Sequence, residues 1–91
     1  MVSQSVLPRR RLGRTELQVS ILGFGTAPLG DLFLELDDHK AIAAASRAFE
    51  LGVNLVDTSP HYGNGLSEHR CGTALRRVKR QDVVLCTKTG R

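Results

Sequence analysis

No tryptophan occurs in this 91-residue chain, and one tyrosine and three phenylalanines are its only aromatic residues. A core must therefore be assembled from Leu, Val, Ile and Ala. A chain this short typically buries only about 60–65% of its unfolded surface, so a thin core and weak independent stability are expected. Cysteine is scarce as well. Cys71 and Cys86 stand fifteen positions apart, form no C-x-x-C, and have no His or Cys neighbour at zinc-ligand spacing. No metal site is expected, and two free thiols of a reducing cytosol are favoured over a disulfide. Long hydrophobic runs are missing too. The longest, Ala41 to Ala45, falls far short of the roughly 18 residues of a membrane span. Nor does the stretch Met1 to Leu7 hold the apolar core, about 7–15 residues long, of a secretory signal. The expectation is a cytoplasmic chain with no membrane partner.

Charge of one sign is only mildly in excess: 13 basic residues against 9 acidic ones, a net +4. The basic residues gather at Arg9, Arg10, Arg11 and Arg14, and again at Arg76, Arg77, Lys79 and Arg80. Such clusters suit phosphate-rich partners. The second, however, falls where a helix would end and complements the negative end of its dipole. No aromatic residue interleaves either cluster, so a stacking platform for single strands is lacking. No nucleic-acid partner is expected, and a basic binding module is kept as an alternative.

What is present is a regular alternation. Arg9 to Leu12, the Gly13–Glu16 turn and Leu17 to Val19 read as a hairpin. Ile21 to Gly25 is a short apolar strand. Asp37 or Asp38 is a plausible N-cap for a helix over His39 to Leu51, whose inward stripe is Ile42, Ala45 and Phe49. Gly52 stands where a left-handed C-terminal cap belongs. Val53 to Val56 forms the next strand, ending in Asp57. Pro60, Gly63 and Gly65 mark a loop, and Ser67 is placed to cap a second helix with Cys71, Leu75 and Val78 inward. After a turn at residues 80–82, Val83 to Cys86 suits a strand covered on both faces, closed by Thr87 and Lys88.

The strands end near Gly25, Asp57 and Lys88, at intervals of 32 and 31 residues. Strand and helix alternating at that interval describe right-handed crossovers in a parallel sheet. Eight such units would total roughly 250 residues, the size of a (β/α)8 barrel. Three cannot close one, and the third strand would offer an unpaired edge for self-association. A dinucleotide fold of the G-x-G-x-x-G type is the competing reading of Gly23-Phe24-Gly25. It is weakened by Pro28 at the third glycine position, which lacks the N–H that a pyrophosphate needs, and by the distance to Asp57.

In parallel β/α units every strand ends at the same face. Asp57 and Lys88 would close neighbouring strands, roughly 4.8 Å apart, close enough to pair. Tyr62 lies five residues past Asp57, on a loop short enough to fold over them. A tyrosine in water has a pKa of about 10 and is a poor acid or base near neutrality. A nearby ammonium favours the phenolate and fits the phenol for proton exchange with a carbonyl or alcohol oxygen. Taken singly, each residue has a blander role: the Asp anchors a loop, the Lys is solvated, the Tyr packs. Their joint placement points to catalysis.

The segments Leu22-Gly23-Phe24-Gly25-Thr26 and Val56-Asp57-Thr58-Ser59-Pro60-His61-Tyr62-Gly63 resemble the aldo-keto reductases. So do Ser67-Glu68 with Gly72 and Leu75, and Thr87-Lys88. The runs Thr26 to Gly30 and Tyr62 to Glu68 look most like the aldose 1-dehydrogenase and pyridoxal 4-dehydrogenase branch. The resemblance implies an α/β fold: a hairpin and three β/α units of a (β/α)8 TIM barrel, truncated before closure. Residues 1–91 would then comprise a loose lead-in (1–8), the hairpin (9–19) and the strand–helix–strand–helix–strand segment (21–88). It also implies an oxidoreductase that uses NADP or NAD on a small carbonyl compound or sugar. By that analogy Tyr62 is the general acid of reduction or base of oxidation, Lys88 tunes it, and Asp57 pairs with Lys88. Gly25, Thr26 and Asp57 would lie near the nicotinamide end of the cofactor. The family's fourth catalytic residue, a His ending strand four, has no counterpart in His39, His61 or His69, so the chain alone is expected to be inactive. His61 either lines a substrate pocket or is merely exposed.

Overall fold

The computed structural model describes residues 7–32 and 34–90. Of the lead-in assigned to residues 1–8, positions 1–6 lie outside the described residues. Strands β1 (Arg9–Arg11) and β2 (Gln18–Ser20) pair antiparallel, with Arg9 opposite Ser20 and Arg11 opposite Gln18. Their turn closes where expected: Gly13 takes a φ of +56°, and the Thr15 hydroxyl donates to Leu12 O at 2.6 Å. The second strand sits one residue later than the alternation suggested.

Three further strands make a parallel sheet: β3 (Gly23–Gly25), β4 (Leu55–Asp57) and β5 (Val84–Cys86), in the order β3-β4-β5. Helices α1 (Asp38–Glu50) and α2 (Leu66–Leu75) make the crossovers between them. The order never reverses, so among the described residues no switch point for a dinucleotide forms. The core lies where the helices meet the sheet, around Leu29, Ala41, Ala45, Val56, Cys71, Ala74 and Val83. Small residues let both helices approach closely, and Ile42, Phe49, Leu75 and Val78 pack around its rim. Both cysteines are free, Cys71 buried and Cys86 exposed. Among the described residues no helix is long and apolar enough to cross a membrane.

Local chemistry sets the limits of α1. Asp37 caps it by accepting from the Lys40 N–H at 2.8 Å, and Gly52 turns the chain away with a φ of +102°. Elsewhere the structure departs from expectation. Gly65, not Ser67, is the N-cap of α2, with a φ of +99°. Ser67 lies inside the helix, fully buried, because its hydroxyl bonds across the fold rather than to its own helix. α2 stops at Leu75, since the N–H groups of Arg76, Arg77 and Val78 turn to carbonyls three residues back. Val78 therefore packs from a turn and not from the helix. Strand β5 is not covered on both faces, since Val84 and Leu85 are half-buried and Cys86 is exposed; among the described residues it also forms one edge of the sheet. Strand β3 is shorter than the apolar run, since Ile21 and Leu22 are 51% and 60% exposed in the link from hairpin to sheet.

A buried asparagine fixes the hairpin at the start of the sheet. Asn54, just before β4, accepts from the Ser20 N–H at 2.6 Å and donates from its side-chain amide to Gln18 O at 2.8 Å. Its own N–H donates to the Ser20 hydroxyl at 3.1 Å.

Candidate active site

Gly25, Asp57 and Cys86 are register partners across the three strands, so the strands end level with one another. Whatever follows them must meet. After β5, Lys88 reaches back across the sheet: its Nζ donates to Asp57 Oδ1 at 2.8 Å and to Thr58 O at 2.9 Å. The same nitrogen lies 5.0 Å from the centroid of the Tyr62 ring. Sequence reasoning placed these three side chains together, and the structure brings them together. The bond to Asp57, seconded by the Tyr62 side chain, holds the Lys88 amine above the usual lysine range and keeps it cationic. Both ends of the ion pair are about half exposed, so solvent screens it and its contribution to stability is small.

Beneath the pair runs a buried chain of hydroxyls. Thr26 is wholly buried; its N–H and its hydroxyl both donate to Asp57 O, at 3.1 and 2.9 Å. Ser67 Oγ lies 2.8 Å from both Thr26 O and Thr26 Oγ1, and 3.1 Å from Thr58 Oγ1. Each hydroxyl has one proton to give. A consistent assignment runs from Thr58 to Ser67 to Thr26 to the carbonyl of Asp57. The backbone that carries the Asp57 carboxylate is thus held from below, away from water. Cys71 lies against the same cluster, where burial pushes its thiol up and leaves it protonated.

Tyr62 is held by its backbone. Its N–H donates to Ser59 O and its carbonyl accepts from the Ser67 N–H, both at 3.2 Å. Gly63, with a φ of +66°, lies directly against Gly30 of the first loop. A Cβ on Gly30 would come within 2.6 Å of the Tyr62 carbonyl carbon, so only glycine permits this approach. The two loops enclose a cleft of about 250 Å³ between Ala27, Gly30, Leu32, His61, Tyr62 and Gly63. His61 is at once exposed and a lining residue of that cleft.

Gly25 is exposed, with open space where a side chain would be. Thr26 presents no side-chain surface, so any service it gives a ligand passes through the backbone it anchors. Sequence reasoning missed the Thr58–Ser67–Thr26 chain and Arg70, which is only 4% exposed. One signal was available: Arg70 is a charged residue on the helical stripe of Ser67, Cys71 and Ala74. Among the described residues no cluster of His, Cys, Asp and Glu could hold a metal ion.

The sequence model of the Aldo/keto reductase family matches residues 21–91. L-galactose dehydrogenase of Arabidopsis thaliana is 46% identical over 84 residues, which cover 90% of this chain and 26% of that protein. D-threo-aldose 1-dehydrogenase of a Pseudomonas species is 44% identical over 75 residues, covering 82% of this chain and 23% of its own length. A solved aldo-keto reductase of Bacillus halodurans, in its holo form, superposes with a TM-score of 0.80 at 40% identity. The match covers 92% of this chain and 26% of that one. The chain therefore spans about a quarter of the length of the curated relatives it matches.

Proposed function

Because this chain belongs to the aldo/keto reductase family, we propose that it carries the proton-transfer site of an NADP- or NAD-dependent oxidoreductase, with Tyr62 as proton donor and acceptor. The substrate class is an aldehyde, a ketone or the C1 of an aldose, in keeping with the names of its relatives. The observation that carries this reading is the convergence at the level strand ends: Lys88 Nζ 2.8 Å from Asp57 and 5.0 Å from the Tyr62 ring centroid.

The open space at Gly25, next to Asp57, suits the flat nicotinamide end of such a cofactor. When bound, a nicotinamide dinucleotide supplies or takes up the hydride at the substrate carbon. In reduction Tyr62 gives its phenolic proton to the carbonyl oxygen; in oxidation it takes the hydroxyl proton. Lys88 faces the charge that forms on the phenolate oxygen, and the carboxylate of Asp57 keeps that ammonium in place. An electrostatic partner already in position needs no reorganisation as the proton moves. The cleft beside Tyr62 receives the substrate, with His61 on its rim.

The test is a chimera in which residues 21–91 replace the matching segment of the Bacillus halodurans reductase. Turnover with aldehydes or aldoses is expected, falling by about 10²–10⁴-fold on Tyr62→Phe, the worth of a positioned proton donor. A folded chimera indifferent to Tyr62→Phe refutes the reading. The 91-residue chain alone is proposed to be inactive. The fourth family position has no counterpart in it, and remote binding groups are needed to position a cofactor. Turnover by the chain that vanishes on Tyr62→Phe would overturn that part.

A second reading rests on β5, whose outer edge is unpaired among the described strands, and on exposed Ile21 and Leu22. Such an edge templates strand addition, so the chain would self-associate without catalysis. Sedimentation of a compact monomer counts against it.

A further inference from the structure

We infer that Arg70 is the positioning residue of Tyr62, acting through the glycine against which the Tyr62 backbone rests; this builds on the reading of Tyr62 as the proton donor. A guanidinium at 4% exposure must be paired on every side to be tolerated. Arg70 spends its four side-chain bonds on the segment between β3 and α1 and on the first residue of α1. Its Nη1 donates to Leu29 O at 2.9 Å and to Asp31 Oδ1 at 3.1 Å. Nη2 donates to Leu36 O at 2.7 Å, and Nε to Asp38 Oδ1 at 2.9 Å. Burial opposes the charge, and the two carboxylates outweigh it.

Two of these grips fall on residues 29 and 31, the immediate neighbours of Gly30. Gly30 in turn abuts Tyr62 with no side chain between them: a Cβ there would lie 2.6 Å from the Tyr62 carbonyl carbon and 2.7 Å from its oxygen. On the far side a Cβ on Gly63 would meet Gly30 O at 2.6 Å. Contact this close leaves no slack. Asp31 holds a left-handed φ of +63°, a conformation that its short side chain supports by local hydrogen bonding. Its carboxylate is fixed by the Leu36 N–H at 3.0 Å as well as by Arg70. Release of the guanidinium frees Asp31 to shift, Gly30 to retreat, and Tyr62 to lose its backstop. Arg70 also sits on the helix whose Ser67 N–H holds the Tyr62 carbonyl at 3.2 Å. The same helix thus grips Tyr62 directly and through the opposing wall.

Tyr62 is the sole tyrosine, and tryptophan is absent, so the phenol band in near-UV circular dichroism reports this one ring. Arg70→Lys keeps the charge but not the fork. The expected result is an unchanged far-UV spectrum and a phenol band reduced by about twofold or more, the mark of packing lost with secondary structure kept. Arg47→Lys, at an exposed surface pair, leaves the band unchanged. Should Arg70→Lys unfold, Asp31→Ala, which removes the acceptor and leaves Asp38 to pair the guanidinium, carries the same expectation. In Arg70→Ala, added guanidinium restores the band where ammonium at equal concentration does not. A wild-type phenol band in folded Arg70→Lys or Asp31→Ala overturns the inference. The readout needs no cofactor or substrate, so that result leaves the proton-transfer reading standing. An active chimera indifferent to Tyr62→Phe would sink that reading instead and leave this one untouched.

Discussion

Gly63→Ala, compared with Gly65→Ala, isolates the cost of the loop contact on which the site depends. Both glycines hold a positive φ, +66° and +99°, so alanine at either position carries a left-handed penalty of about 1–2 kcal/mol. Their surroundings differ. A Cβ at Gly65 meets nothing within 4 Å, whereas one at Gly63 lies 2.6 Å from Gly30 O and 2.8 Å from Gly30 Cα. Those atoms belong to backbone and cannot swing away, so the loops must part by several tenths of an ångström. Overpacking of that kind adds about 1–3 kcal/mol. Gly63→Ala is therefore expected to cost about 2–5 kcal/mol in all, Gly65→Ala about 1–2 kcal/mol. Against a total stability of roughly 5–14 kcal/mol for a chain this long, the difference is large. Urea unfolding followed by far-UV circular dichroism measures it, provided the denaturant slopes agree. Equal losses in the two variants would refute the close-contact argument.

Two further outcomes are expected. The Lys88 amine titrates above its unfolded value, chiefly through Asp57; the stability it lends is complete below that unfolded value, about 10.4, and is lost as pH rises through the folded one. Lys88→Met should lack that part of the alkaline decline when the two unfolding curves are compared at each pH, and identical declines would count against the pairing. The comparison cancels Cys71, whose raised thiol value loses stability in the same direction in both proteins. Asn54→Ala removes the two side-chain bonds to the hairpin and should cost about 1–3 kcal/mol, the penalty for stranding a buried polar group. Hydrogen exchange at the Ser20 amide checks it, since unchanged protection would mean the hairpin is held otherwise.

The parts that were legible in the sequence obey short-range rules. Asp37 caps α1 and Gly52 ends it because both bond within a few residues of themselves. The Asp57–Lys88 pair was legible for a different reason: equal strand intervals force level strand ends, and 31 residues separate the two. What stayed hidden depends on partners that no local pattern names. The hydroxyl of Ser67 finds Thr26 at a separation of 41 residues, and that bond overrode the local habit of serine as a cap. Arg70 bonds to residues 32 to 41 positions away, and its burial depends on carboxylates assigned to loop and cap. The Gly30–Gly63 contact was invisible because a glycine required for space looks the same in sequence as one required for a turn.

The hidden residues share one origin, the first turns of α2. Ser67 there reaches Thr26 after β3 and Thr58 after β4 with its hydroxyl, and the Tyr62 carbonyl with its N–H. Glu68 Oε2 accepts from the Thr87 hydroxyl at 2.7 Å, one residue before Lys88. One turn further on, Arg70 holds the flanks of Gly30. All three strand-end loops are therefore tied to one four-residue stretch of one helix, 67–70. Lys88 and the Tyr62 ring sit on loops that this turn holds, so fraying it would loosen both, and with them the pair to Asp57 at the end of β4. Gly65 makes the arrangement possible: by taking the cap position with its own backbone, it frees the Ser67 hydroxyl to point into the fold.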